Sequence, residues 1–212
     1  MIINTGLFTT LIIAVPFIAY VIYDIGYEKK RNVVKYIFLF LLFIYLFFLV
    51  KYAIFPIYLD SEINEIMGSD LPISDLIKRN VNVIPLFRGM YVQDFCLNII
   101  MTMPIGFLIP CLKKGLNTRR MVKIGLFIGI GIEMFQFIIM LVQGFTFRDI
   151  NINDAIANLI GVSLGYKVFI FALSICYKTF RQTKCKQIYR LGKYLLKLNR
   201  NILYDCSDSI QK

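Results

Sequence analysis

The stretch Ile124-Gly-Leu-Phe-Ile-Gly-Ile-Gly-Ile-Glu133-Met-Phe-Gln136-Phe-Ile-Ile-Met-Leu-Val-Gln143 is apolar from end to end apart from one charge and two amides. A helix needs about 20 such residues to cross the hydrocarbon of a bilayer. A carboxylate near the middle of that path costs at least ~2.5 kcal/mol, so Glu133 requires a partner, a proton or a water-filled cavity. Its own face is prepared for one of these. Gly125, Gly129, Glu133, Gln136, Met140 and Gln143 recur at steps of three or four, so one stripe is first small, then ionisable, then amide-bearing. Glu133 and Gln136 could simply hydrogen-bond a neighbouring helix, but the two together favour a functional site.

Downstream, Ala155 to Tyr177 forms a second span broken only by Lys167, joined to the first by about ten residues from Gly144 to Asp154. A connection that short makes the two helices antiparallel neighbours. Asp154, Asn158, Gly161 and Gly165 share a face, and the Gly-bearing faces of the two helices are expected to meet. Asp154 also suits a helix N-cap. In this arrangement Glu133 and Lys167 lie at similar depth, so an ion pair and snorkelling of Lys167 toward the inner face are the two options.

Upstream, Phe95 to Leu112 is uncharged and carries Asn98 and Thr102 on one face, then Pro104, Gly106 and Pro110. Pro104 should kink this helix and free a carbonyl. Asn80 to Phe87, including Pro85, is apolar but too short to span, and reads as an interfacial or re-entrant segment over the outer side. Tyr36 to Val50 and Met1 to Tyr23 complete five candidate spans. The first lacks the basic start of a secretory signal and should remain as a membrane helix.

The expected fold is therefore an all-α integral membrane protein with about five transmembrane helices. Its parts are two N-terminal helices in 1–59, an acidic extracellular loop in 60–94, a core of three helices in 80–177 and a basic cytoplasmic tail in 178–212. Lys and Arg set the orientation, because cytoplasmic loops retain them. Basic residues cluster at Lys29 to Lys35, Lys113 to Lys123 and from Lys178 onward, whereas the opposite side carries Lys51, Lys78, Arg79, Arg88 and Arg148 among acids. The N-terminus is thus expected outside and the C-terminus inside, and an odd number of spans demands the same.

Composition agrees. Hydrophobic residues make up 58% of the 212, charged residues only 17%, against about 25% charged in a soluble domain. Histidine is absent, which excludes Ser-His and Cys-His nucleophile pairs and the HExxH zinc site. The five cysteines have no CxxC spacing, and no disulfide framework, metal or cofactor is expected. The net charge of +11 is concentrated on the cytoplasmic side. It points to anionic lipids as partner of the tail, where Ile188, Leu191, Leu195 and Leu198 mark an amphipathic helix, and not to nucleic acid.

Four spaced blocks resemble the VanZ-like membrane family: Asn82-Val-Ile-Pro85; Asn98-x5-Pro104-x-Gly106-Phe-Leu; Glu133-x-x-Gln136; and Arg148-x5-Asp154-x3-Asn158-x-x-Gly161-x3-Gly165. They cover residues 80 to 166. Asn151 stands where family members often carry an acid, and Leu159 where a Thr is common. The resemblance implies a multi-pass protein of the bacterial cytoplasmic membrane, from a family named for an accessory role in glycopeptide, particularly teicoplanin, resistance. It implies a setting and no reaction.

The residues themselves suggest an outward-facing polar site for a cell-wall or lipid-linked ligand. In it Arg148 makes a bidentate contact, Asp154 and Asn158 orient that Arg or bind the ligand's hydroxyls and amides, and Glu133, Gln136 and Asn98 line the floor. An enzyme acting on a lipid-linked substrate, with Glu133 as general acid or base, and a small proton-coupled carrier are the alternatives.

Overall fold

The computed structural model describes residues 2–3, 7–27, 32–54, 57–58, 71–85, 91–146, 148–182 and 194–195. Six helices dominate: α1 (Leu7–Tyr27), α2 (Val33–Ala53), α3 (Ile73–Asn80), α4 (Val92–Leu112), α5 (Thr118–Gln143) and α6 (Ile152–Gln182). Four two-residue strands pair as β1 (Ile2–Ile3) with β2 (Ile57–Tyr58), antiparallel, and β3 (Val81–Asn82) with β4 (Ile150–Asn151), parallel. Among the described residues four helices are long and apolar enough to cross a membrane: Val33–Ala53, Val92–Leu112, Thr118–Gln143 and Ile152–Cys176. In α1 the apolar run among described residues, Ile13–Tyr27, is shorter. The expected tail helix lies outside the described residues apart from Tyr194 and Leu195, and these fold back onto the bundle, Tyr194 stacking on Phe38 of α2.

The centre of the bundle is α6, which packs most extensively on α4 and next on α5, with α2 flanking α4 and α1 flanking α2. Glycine sets both central contacts. A Cβ on Gly161 would meet Ile99 and Thr102 of α4, and one on Gly165 would meet Met103 and Gly106, so α4 and α6 advance in parallel with backbones touching. Across the other side, Gly129 faces Ala155 and Gly125 faces Leu159 and Val162, so α5 runs antiparallel to α6. The expectation that the glycine faces of the last two spans meet is therefore corrected. Gly161 and Gly165 serve α4, while the glycines of α5 close on Ala155 and Leu159.

The sequence stripe on α5 is its contact face: Met121, Gly125, Gly129, Glu133, Met140 and Gln143 are all buried. Lipid-facing residues such as Phe127, Ile130, Met134, Phe135 and Ile138 are exposed on the same helix. That is the inverse of a soluble protein and natural where the solvent is hydrocarbon. Below, Ile105, Cys111, Met121, Val162, Tyr166, Phe169 and Leu173 form the main apolar core. Helix α4 continues through both Pro104 and Pro110.

Polar contacts tie α1 to α2, and α2 to the rest. Asp24 is buried and pairs with Lys35 at 2.5 Å, with the Tyr36 hydroxyl donating to its other oxygen at 3.2 Å. Tyr45 donates to the Met101 carbonyl of α4 at 2.6 Å, fixing α2 against the core.

Candidate functional site

The end of the bundle carrying the α5–α6 connection, called here the upper end, is shaped by where helices start and stop. Gly144 ends α5 in the left-handed conformation (φ 77°), its N–H returning to Met140. The chain then descends alongside α5. Thr146 braces the turn, its hydroxyl donating to the Arg148 carbonyl at 2.5 Å and accepting the Arg148 N–H at 3.1 Å. By Asn151 the backbone has reached Glu133, whose Oε2 accepts the Asn151 N–H at 2.9 Å. Ten residues separate Glu133 from Gln143, so α6 begins about 15 Å below the top of α5.

That descent revises the reading of Glu133. The carboxylate is 8% exposed and its partner is a backbone amide at the start of α6, near the positive end of the helix dipole. Lys167 is exposed and lies sixteen residues farther along α6, about 24 Å down the axis from Asn151. The two are not at similar depth and do not pair.

Asn151, noted in the sequence only as a departure from the family pattern, organises this end of the bundle. It immediately precedes α6, and its Oδ1 accepts the Asn153 N–H at 3.1 Å, the geometry of an N-cap. The same oxygen accepts the Asn153 side-chain amide at 3.0 Å and the Asn82 side-chain amide at 3.1 Å. Asn82 is the register partner of Asn151 in the parallel β3–β4 ladder, and its own Oδ1 accepts the Ile84 N–H. The block beginning Asn82 and the block ending in α6 are thus one structure, held by stacked asparagines. Asp154 falls in the first turn of α6 and not at its N-cap, because Asn151 occupies that role. Pro85 is exposed beyond this ladder.

Above the start of α6 lies a cavity of about 700 Å³, lined by Tyr52, Tyr91, Asp94, Leu97, Asn98, Ile100, Met101, Gln136, Arg148, Asp149, Asn151 and Asp154. Four of the six residues expected to bind a ligand converge here: Asn98, Gln136, Arg148 and Asp154. The side chain of Asn98 hydrogen-bonds the Asp154 carboxylate, joining α4 to α6. Gln136 donates to the Ala53 carbonyl at 3.0 Å and Arg148 Nη2 to the Tyr52 carbonyl at 2.6 Å, so both cap the end of α2. Those carbonyls have no partner within their own helix, and cations suit that end of its dipole.

The other two candidates stand behind the cavity wall. Glu133 faces Asn151. Asn158 is fully buried between α6 and α4, where Thr102 donates to its carbonyl at 3.0 Å. Its side-chain amide has no hydrogen-bond partner among the described residues, the kind of group that an ordered water satisfies. At Gly106, Gly161 and Gly165, the glycines expected to be structural, an added Cβ would meet backbone atoms of the facing helix. Among the described residues no three acidic or thiol side chains are close enough to hold a metal ion.

Tyr52, Tyr91, Asp94 and Asp149 also line the cavity, and none of them was among the residues expected from the sequence to bind a ligand. No periodicity marks them, since they come from the ends of different elements and meet only when the bundle closes. Among curated proteins and solved structures, nothing matches the chain. Residues 35–175, from the first turn of α2 to the membrane part of α6, match the family model described as VanZ/LLP1, and the chain is an integral membrane protein belonging to the VanZ/LLP1 family.

Proposed function

We propose that this protein is an envelope-associated binder of the bacterial cytoplasmic membrane whose upper cavity faces outward and takes the polar group of a cell-wall or lipid-linked molecule. The observation that carries the reading is the convergence of Arg148, Asp154, Asn98 and Gln136 on one cavity at the end of an apolar bundle. Pockets of 300–1,000 Å³ with a few placed polar groups are typical of ligand sites. Orientation follows the charges. Lys113, Lys114, Arg119, Arg120 and Lys123 are exposed at the lower end, which the positive-inside rule assigns to the cytoplasm. With α1 as a fifth span, the N-terminus lies outside and the basic tail inside, against anionic lipid. Within the family setting, occupation of an envelope precursor is a route to teicoplanin protection.

The test is teicoplanin and vancomycin susceptibility of a susceptible Gram-positive host expressing wild type, Arg148→Gln, Asp154→Asn or Glu133→Gln at matched membrane levels. Wild type should protect, and the two cavity variants should lose protection. Glu133→Gln keeps an oxygen for the Asn151 N–H and should retain it, whereas an enzyme with Glu133 as its acid or base would be silenced. Absence of protection by abundant wild type would separate this chain from resistance; protection surviving in both cavity variants would remove the cavity from the function.

A further inference from the structure

The cavity has a lopsided charge inventory. Among the described residues three carboxylates line it, from Asp94, Asp149 and Asp154, against one guanidinium, that of Arg148. Lys51 stands nearby with its ammonium 5.8 Å from the centre of the Tyr52 ring, but does not line the space. Asp154 is held by Asn98, while the side chains of Asp94 and Asp149 make no hydrogen bond or ion pair with a described residue. Both lie close enough to Asp154 for the like charges to repel. Arg148 has one Nη committed to the Tyr52 carbonyl and its other donors left for a ligand.

A purely anionic headgroup would gain part of one guanidinium and face three carboxylates. A purely cationic one would leave the remaining donors of Arg148 without an anion. Among the described residues the acids do not converge as metal ligands do. Polar groups do not line the whole space. Leu97, Ile100 and Met101 of α4 form one wall, and Leu97 and Ile100 are 53% and 63% exposed on a helix that crosses the membrane. The polar floor thus continues into a wall that meets hydrocarbon.

We propose that the occupant is an amphiphile with a zwitterionic headgroup, an ammonium linked to a phosphate ester as in an aminoalkyl phospholipid, entering along α4. This deepens the headgroup reading above and rests on it. The ammonium lies among Asp94, Asp149 and Asp154, the phosphate takes the free donors of Arg148, and the chains leave over Leu97 and Ile100. A cavity of about 700 Å³ holds a headgroup and the first part of its chains.

The experiment reconstitutes the full chain in vesicles of equal phosphatidylethanolamine and phosphatidylglycerol, extracts it in mild detergent and quantifies the lipid that stays bound through gel filtration. Wild type should retain phosphatidylethanolamine in preference to phosphatidylglycerol. Asp94→Asn/Asp149→Asn, which removes no described contact, should lose that preference by roughly tenfold, the worth of one charge-assisted hydrogen bond. Arg148→Gln should weaken retention of both lipids. Three results overturn the proposal in different ways. Retention of phosphatidylglycerol that depends on Arg148 alone makes the ligand an anion and leaves the headgroup reading intact. Displacement of bound lipid by water-soluble glycerophosphoethanolamine makes it a soluble zwitterion and removes the amphiphile. Lipid retention identical in wild type and every variant means lipid held around the bundle only, and defeats the cavity reading together with the proposal.

Discussion

Gly129 and Gly131 lie two residues apart on α5, and replacing each by alanine tests the packing with its own control. A Cβ on Gly129 would stand 2.5 Å from the Ala155 carbonyl oxygen and 3.3 Å from the Ala155 carbonyl carbon and Cα, all backbone atoms that cannot rotate aside. A Cβ on Gly131 meets nothing within 4 Å. Both substitutions gain the helix propensity of alanine over glycine, about 1 kcal/mol, so that contribution cancels between them. What remains is overpacking at Gly129, about 1–3 kcal/mol for a forced extra methyl. To relieve it α6 has to retreat from α5 by roughly half an ångström or more. Asn151, one turn before Ala155, is carried with it and its 2.9 Å bond to Glu133 lengthens. Thermal unfolding of the detergent-solubilised protein, followed as the fraction remaining monodisperse, should place Gly129→Ala below Gly131→Ala by roughly 2–12 °C, at 2–4 °C per kcal/mol for a chain of this size. Equal midpoints for the two variants would refute the close approach of α5 to α6 and the buried position of Glu133 that depends on it.

Asn151→Ala should destabilise the upper end by about 2 kcal/mol, because one oxygen serves the Asn153 backbone and two side-chain amides, and a reduced melting point with faster amide exchange at the start of α6 would register it. Orientation is accessible through cysteines placed in a cysteine-free background. Ser74→Cys, exposed on α3, should react with a membrane-impermeant maleimide added outside intact cells, whereas Asn117→Cys, exposed between α4 and α5, should react only after the membrane is opened. The reverse pattern would invert the bundle and turn the cavity toward the cytoplasm.

Four of the five expected spans were legible because hydropathy measures length directly, and the stripe from Gly125 to Gln143 was legible because a helix folds steps of three and four onto one face. Depth was not. Hydropathy placed the last helix from Ala155, but α6 starts at Ile152, after a connection that has already descended beside α5. Nothing in the apolar count distinguishes a loop that stays above the membrane from one that re-enters among helix ends. Partner choice was equally hidden. Helix α6 has one close-packed side at Gly161 and Gly165 and another at Ala155 and Leu159, and composition alone does not say which meets α4 and which α5. The β3–β4 ladder is two residues long, below any period a sequence can display, yet it sets Asn82 against Asn151. The sequence resemblance began at residue 80, whereas the family match begins at residue 35. The bonds from Tyr45, Gln136 and Arg148 explain the difference, since they make α2 part of the core.

The same bonds explain why the cavity exists. Helix α2 ends at the level of Gln136, α6 begins at the level of Glu133, and Asn98 of α4 meets Asp154 in the first turn of α6. Helix α5, 26 residues long, rises past all of these. Its upper turns are instead covered on one side by α3 and β4, where Leu76, Met140 and Ile150 form a small separate core. The remaining space is bounded by helix ends, whose orphan carbonyls and amides draw polar side chains into an otherwise apolar bundle. Gln136, Arg148 and Asn151 therefore each hold a helix end in place as well as lining the space. A truncation such as Arg148→Ala removes both at once, releasing the Tyr52 carbonyl along with any ligand contact. Asp94 and Asp149 are different, since among the described residues their side chains make no hydrogen bond or ion pair; Asp94 meets only the positive end of the α4 dipole from its first turn, and Asp149 lies in the connection before α6.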